Sequence, residues 1–286
     1  MKDNKYIYAD IGGLDLYFFR LGGPGLCNLL FPWSRMIIEA KKRNLTIIPT
    51  TWASLKIGPY LRSERDKRSY HDFFISESNI SLFKKILLLS FHRSKILRIN
   101  NNKITFSDLC SHNILISHEI SKLVKQRHLN SIKNFSGKGV VVHIRMGDFK
   151  NEDNETSLRK GVWNKRIPLL WYKSIINKLT FINNKIKIYV FSDADDHDLQ
   201  EILDIKNVQR SYFGSAISDL LALSKGKILV ASASTFSMWA SFLGQNHTIW
   251  FPGQMRSQMI ENKNIFEGEV DYNDALSQKI IDYVVK

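Results

Sequence analysis

The sequence predicts an α/β fold, and three observations carry that reading. Beyond Pro168, strand-like and helix-like runs alternate regularly. At the start of the chain a strand-like run feeds a glycine-rich turn and then a helical pattern. Between these regions, Gly139-Val140-Val141-Val142-His143-Ile144 reads as a buried strand that ends in polar residues. Strands alternating with helices imply a mostly parallel sheet covered on both faces. Ligands on such sheets bind beyond the carboxyl ends of the strands.

Residues 6–11 and 14–21 are strand-like and joined by Gly12-Gly13, which predicts a hairpin. Gly22-Gly23-Pro24-Gly25 follows, and then a helix over residues 28–43 with Leu30, Trp33, Ile37 and Ala40 near one face. Pro32 fits there as a first-turn residue, where its missing N–H is not needed. Residues 45–49 form a short strand, completing strand, turn, helix, strand. Residues 62–70 are a charged stretch, and 81–98 read as a basic amphipathic helix. Residues 150–166 are a polar loop, a candidate lid or interdomain connection. After Pro168 come a helix (169–179), a strand (187–191), helices (196–203 and 218–224), a strand (228–231), a helix (235–243), a strand (248–251) and a terminal helix (274–285). No internal repeat is visible, which argues against solenoids and propellers.

At 286 residues, 44% of them hydrophobic, the chain can bury a sizeable core, so disorder, collagen and low-complexity readings are excluded. Lys and Arg number 41 against 27 Asp and Glu, a net charge of +14. That excess predicts an anionic partner: nucleic acid, an acidic membrane surface or a phosphorylated ligand. Two cysteines, Cys27 and Cys110, cannot build a disulfide framework and have no metal-ligand spacing. The amino terminus lacks the apolar core of a signal peptide. The apolar run at residues 86–90 is too short to span a bilayer. These features predict a cytosolic chain, with charge as the means of any contact with the inner membrane surface.

Four polar groups follow strands and are the candidates for chemistry: Gly25-Leu26-Cys27-Asn28, His143-Ile144-Arg145-Met146-Gly147-Asp148, Ser192-Asp193, and residues 232–237 (SASTFS). The first places glycines before a helix, where N–H groups can approach an anion; a tight turn with positive φ explains them equally well. In the second, an Arg at a strand end can grip a phosphate with its planar fork, and Gly147 permits the turn that exposes Arg145 and Asp148. The rival reading there is an Arg–Asp pair that merely stabilises the turn. His143 taken alone reads as a core residue. In the fourth, Ser234 or Thr235 caps a helix whose free N–H groups suit a pyrophosphate. The run Asp193, Asp195, Asp196, Asp198 lacks the glycine and terminal Glu of a calcium loop, so no metal is expected. No Gly-x-Ser-x-Gly nucleophile motif is present.

These groups, in this order, resemble the bacterial α-1,2-fucosyltransferases of glycosyltransferase family 11, within the GDP-fucose fucosyltransferase superfamily, with this chain as a divergent member. The family's amino-terminal motif, approximately Gly-Gly-Leu-Gly-Asn-Gln-Met-Phe-Gln-Tyr, is similar to residues 23–33 (GPGLCNLLFPW). Its His-x-Arg-x-Gly-Asp motif stands at His143 to Asp148, and its carboxy-terminal block is similar to residues 219–243. The helix opening Arg166-Ile167-Pro168 and holding Trp171-Tyr172 falls where the family has its Tyr-Tyr helix. Cys27 stands in place of a Gly, Leu29 of a Gln, Met146 of a second Arg, and Ala233 of an Asn; the segment 6–11 adds a strand.

The resemblance implies a GT-B-like fold of two Rossmann-type domains facing across a cleft. Residues 1–160 would form the acceptor-side domain ending in the His-x-Arg-x-Gly-Asp motif, and 161–286 the donor-nucleotide domain. It implies an inverting, metal-independent transferase with GDP-fucose as donor and no cofactor. Arg145 would hold the pyrophosphate, with His143 near the nucleotide and Asp193 in support. Asp219 would read guanine, Ser234, Thr235 and Ser237 would hold phosphate oxygens, and Gly25 and Asn28 would face the donor. Asp148 is the preferred general base, with Glu152, Asp153 and Glu155 as competitors. The acceptor would be an oligosaccharide of a bacterial surface glycan or its lipid-pyrophosphate-linked precursor. One alternative is a transferase of this fold using another nucleotide sugar. Another is a basic nucleic-acid-binding protein, but no helix-turn-helix, finger or RNA-recognition motif emerges, and no nucleic-acid partner is expected.

Overall fold

The structure, a computed structural model, describes residues 4–61, 66–100, 103–151 and 154–285. The chain divides into two compact units, Met1–Asn130 and Ser131–Lys286. Among the described residues no helix is long and apolar enough to cross a membrane. Part of the charged stretch, residues 62–65, lies outside the described residues.

The first unit holds β1 (Tyr6–Ala9), β2 (Leu14–Asp15), β3 (Arg20–Leu21), α1 (Leu26–Arg43), β4 (Thr46–Ile47), β5 (Ser54–Leu55), α2 (Ile57–Leu61), α3 (Leu82–Phe91), β6 (Ile96–Ile99), α4 (Asn113–Leu123) and α5 (Gln126–Ser131). β1 is the centre of a parallel sheet of order β4-β1-β6. The expected hairpin between the first two runs does not form. Gly12 and Gly13 both have positive φ and carry the chain out of the first sheet into a second, of order β2-β3-β5. The extra strand at the amino terminus is thus a core strand. Helix α1 starts two residues before the predicted Asn28, which puts Pro32 inside the helix rather than in its first turn. Its apolar face, Leu29, Leu30, Phe31, Trp33 and Met36, is almost wholly buried, which offsets the backbone bond that proline forgoes. The helix expected over residues 81–98 ends at Phe91, because Ile96–Ile99 pairs with β1 instead.

The second unit holds β7 (Val140–Ile144), α6 (Glu155–Arg159), α7 (Leu169–Ile182), β8 (Ile188–Ser192), α8 (Gln200–Leu203), β9 (Val208–Arg210), α9 (Ala216–Lys225), β10 (Ile228–Val230), α10 (Thr235–Gly244), β11 (His247–Trp250), β12 (Glu267–Glu269) and α11 (Gln278–Val285). All its strands are parallel, in the order β12-β11-β10-β7-β8-β9. From β7 the chain moves outward through β8 and β9, then returns to β10 and moves outward the other way. That is the doubly wound Rossmann order, with its switch point between β7 and β10. Val140 and Val142 pack with Trp171, Ile175 and Leu179 of α7 and with Ile280 of α11 on one face. The apolar run of β7, buried at every position, is what a central parallel strand requires.

The α/β class with parallel sheets is as expected for a GT-B-like chain, but the division falls elsewhere than predicted. The boundary expected at residue 160 would assign β7 to the first unit. Instead β7 is hydrogen-bonded to β8 and β10 in the second unit's sheet, and the units part between Asn130 and Ser131.

Candidate active site

At the switch point the carboxyl ends of β7 and β10 lie side by side, and their next residues meet. His143, near the end of β7, is buried. Its Nδ1 lies 2.8 Å from the Ser237 hydroxyl and 2.9 Å from that of Ser232. The Ser232 N–H donates to Ser237 Oγ at 3.0 Å. The imidazole therefore ties β7 to the loop between β10 and α10. Burial holds its pKa well below the ordinary histidine value; Asp193 opposes that shift and Arg145 adds to it. A neutral ring fixed by two hydroxyls positions its surroundings rather than shuttling protons.

Arg145 projects just past β7, with its side chain only 22% exposed. Its guanidinium bridges two carboxylates, Asp193 Oδ2 at 2.6 Å and Asp148 Oδ1, and it lies over the Phe149 ring. The other Asp193 oxygen accepts the Met146 N–H at 2.8 Å, so one carboxylate holds both the guanidinium and the turn behind it. Gly147 makes this approach feasible, because a Cβ there would lie 2.0 Å from Asp193 Oδ2. Arg166 clamps the same turn from outside, donating to the carbonyls of Met146 (3.1 Å) and Phe149 (2.8 Å). Arg210 fixes the Asp193 loop through the carbonyls of Ser192 (2.9 Å) and Ala194 (2.7 Å).

Across the switch point, Ser234 caps α10 by accepting the Phe236 N–H at 3.1 Å. No acidic residue lies in the first turn, and the leading N–H groups of a helix have no intrahelical acceptor. A guanidinium and a helix amino terminus are each groups that can bind a phosphate.

A family model described as glycosyl transferase family 11 matches residues 65–270, most of the chain. The chain belongs to this family. It is accordingly a glycosyltransferase. Its fold is similar to that of the fucosyltransferase NodZ from Bradyrhizobium, at 13% identity and a TM-score of 0.53, covering 87% of this chain and 94% of that one. A structure of POFUT1 in complex with GDP matches at 12% identity and a TM-score of 0.45, over 87% and 98% of the two chains. No curated protein gives a significant sequence match.

In this family 11 transferase, His143, Arg145, Asp148, Asp193, Ser234, Thr235 and Ser237 all belong to the carboxyl edge of the second unit's sheet. His143 lies in β7, Arg145 and Asp148 after it, Asp193 after β8, and Ser234, Thr235 and Ser237 at the start of α10. Ser237 is fully buried, with its hydroxyl engaged by His143 and Ser232. It therefore supports the seat rather than reaching a phosphate as expected. Asp219, in the first turn of α9, accepts the Phe213 N–H at 2.7 Å. Gly25 and Asn28 lie in the first unit, at the amino terminus of α1. Gly25 is extended (φ −67°), so the tight-turn explanation does not account for it, and Asn28 Oδ1 is buried without a hydrogen-bond partner. Among the rival bases, Glu155 is tied to Arg159 and to the Tyr272 hydroxyl, whereas Glu152 and Asp153 lie outside the described residues. Among the described residues no trio of His, Cys, Asp and Glu is arranged for a metal ion.

Ser232, Arg166 and Arg210 escaped the sequence reading. Ser232 opens the SASTFS run, and its place at the end of a strand is the signal that could have found it. The two arginines act on carbonyls far away in sequence and leave no local signal.

Proposed function

We propose that this enzyme transfers fucose from GDP-fucose to a sugar hydroxyl, with inversion and without a metal, most consistently as an α-1,2 linkage on a bacterial surface glycan or its lipid-linked precursor. The observation that carries the reading is the switch point, where Arg145 follows β7 and the capped amino terminus of α10 follows the adjacent, parallel β10. Membership of family 11, the motif resemblance to α-1,2-fucosyltransferases and a fold like that of NodZ support fucose as the sugar.

The leaving group is GDP, whose charge grows as the sugar acquires oxocarbenium character. In this reading Arg145 and the α10 N–H groups stabilise that charge. Asp148 is the proposed general base. It accepts from Arg145 here. Asp219 is proposed to accept from guanine.

Titration calorimetry with GDP, UDP and a short DNA duplex tests this reading. GDP is expected to bind tightest; duplex binding with no response to GDP would sink it. Asp219→Asn keeps an acceptor for Phe213 and should weaken GDP more than UDP. Product mass from GDP-fucose and other nucleotide sugars then decides the donor sugar.

We further propose that the first unit touches an anionic membrane surface through α3. Phe83, Leu87 and Phe91, at i, i+4 and i+8, form an exposed apolar stripe. Lys84, Arg93, Lys95 and Arg98 flank it, and residues 81–100 contain no acid. Phe83→Ser/Phe91→Ser should abolish co-sedimentation with phosphatidylglycerol vesicles; unchanged binding would dismiss this face.

A further inference from the structure

Arg256 lies in the segment that follows β11, on the same carboxyl edge of the parallel sheet as Arg145 and Ser234. Its guanidinium carbon stacks 3.9 Å from the centroid of the Trp163 ring. Several other arginines of this unit reach carboxylates: Arg145 pairs with Asp148 and Asp193, Arg159 with Glu155 and Asp271, and Arg210 with Asp196. Arg256 has no carboxylate partner among the described residues, and its Nε is buried with no hydrogen-bond acceptor. Burial alone pushes its guanidinium down to about 10, with no acid opposing the shift.

The segment carrying this cation is firmly held. Gln254 Nε2 donates to the carbonyls of Leu158 (2.6 Å) and Val162 (3.2 Å). The Met255 N–H donates to Glu269 Oε1 at 3.0 Å. Gly253 has φ +80°, and a Cβ on it would lie 2.3 Å from the Arg159 carbonyl oxygen, so the two loops are pressed together. Trp163 in turn stands three residues before Arg166, whose guanidinium clamps the Arg145 turn.

A half-buried cation without a counter-charge costs stability. A fold that retains one on a rigid loop at its ligand-binding edge has a use for it. Stacking on an indole face leaves the in-plane N–H groups of a guanidinium available for a fork onto an oxyanion. We propose that Arg256, stacked on Trp163, is a second oxyanion seat of this enzyme, distinct from the Arg145 cluster, and takes a phosphate group of a substrate. This rests on the reading that the carboxyl edge of the second unit's sheet receives the nucleotide sugar. The phosphate comes either from the donor's diphosphate or from a phosphate carried by the acceptor.

Calorimetry on wild type, Arg256→Gln and Arg145→Ala separates these sources, with GDP and glucose 1-phosphate as probes. Arg256→Gln is expected to weaken one of them about tenfold or more, the scale of a charge-assisted hydrogen bond. A loss confined to GDP assigns the seat to the donor. A loss of glucose 1-phosphate binding to the GDP-saturated protein assigns it to the acceptor. Unchanged affinity for both overturns the proposal. Thermal unfolding of Arg256→Gln should be level with wild type or slightly higher, since the variant removes an uncompensated charge. A lowered Tm with both affinities intact would make Arg256 a packing residue and also overturn the proposal. If Arg145→Ala leaves GDP binding intact, the switch-point reading itself has failed, whatever Arg256 does.

Discussion

Gly147 and Gly25 stand beside the candidate seats of the two units, and the fold accounts for only one of them. Gly147 has no room for a methyl group, because the Asp193 carboxylate occupies the space a Cβ would fill. Gly25 has open space, with nothing within 4 Å of a built Cβ and a φ that any residue adopts. Close packing explains the first glycine completely. Any need for the second has to come from a molecule that approaches the α1 amino terminus. In the second unit side chains build the seat: Arg145, Asp193 and the His143–Ser232–Ser237 link. In the first unit the helix end has no acidic residue in its first turn and no cap from Gly25, and its Leu26 N–H donates to the Tyr70 hydroxyl at 3.0 Å.

The largest effect is expected at the seat built from side chains. Arg145→Ala should cut transfer by about a thousandfold, the scale of losing a principal donor to transition-state charge. Thermal unfolding should shift far less, because the pair is partly solvated. Arg145→Lys keeps the charge without the fork and should recover only a fraction of the rate. Normal turnover in Arg145→Ala would reduce the cluster to a structural turn and erase the contrast with Gly25.

Gly147→Ala is the next test. The added methyl must displace Asp193, which costs Arg145 a carboxylate and the Met146 N–H its acceptor. A loss of about 1–3 kcal/mol is expected, read as a Tm lower by ~2–4 °C per kcal/mol, together with reduced turnover. Adding Asp193→Ala to Gly147→Ala removes the clash and should restore much of the lost stability. If it does not, the glycine serves something other than that carboxylate.

The buried link behind the seat predicts a smaller, pH-dependent effect. His143 is neutral when folded, while its unfolded value is 6.5. Above that value both states carry a neutral ring and the residue adds no pH dependence. As the pH falls below it, the unfolded chain takes up the proton first, so folding stability declines. The slope contributed is at most about 1.4 kcal/mol per pH unit. His143→Gln should flatten the fall in Tm between pH 7 and 5. Parallel curves for the two proteins would mean that the ring is more open to water than its burial states.

How much of this was legible follows the range of the interactions. The uniform apolar run of β7 and the polar residues after it stand out in sequence, as does the serine cap of α10, because both are local patterns. The pairing of Ile96–Ile99 with β1 is non-local, so helical periodicity ran on past Phe91 where the structure turns to a strand. The same blindness put the domain boundary beyond β7, whose partners Ile188–Ser192 and Ile228–Val230 lie far along the chain. Arg166 and Arg210 are indistinguishable in sequence from solvated surface charges. Their roles appear only once the carbonyls of Met146, Phe149, Ser192 and Ala194 are brought to them. The direct role expected of Ser237 failed for a related reason: a hydroxyl in a promising motif can face inward, and helical phase alone does not say what it will bond.

The smallest expected change in stability is also the most direct probe of the first unit. Serine is at least as good an N-cap as glycine, and Gly25→Ser meets open space, so Tm should stay level or rise slightly. If a substrate approaches the α1 amino terminus closely, the added hydroxymethyl group obstructs it, and kcat/KM should fall about tenfold with the fold intact. Asn28, whose buried Oδ1 lacks a partner, stands one turn away, and Asn28→Asp tests the same approach with charge instead of bulk. A negative charge there should repel a diphosphate and weaken GDP more than Gly25→Ser does. Wild-type turnover in both variants would leave the glycine idle and confine the working chemistry to the second unit's seat.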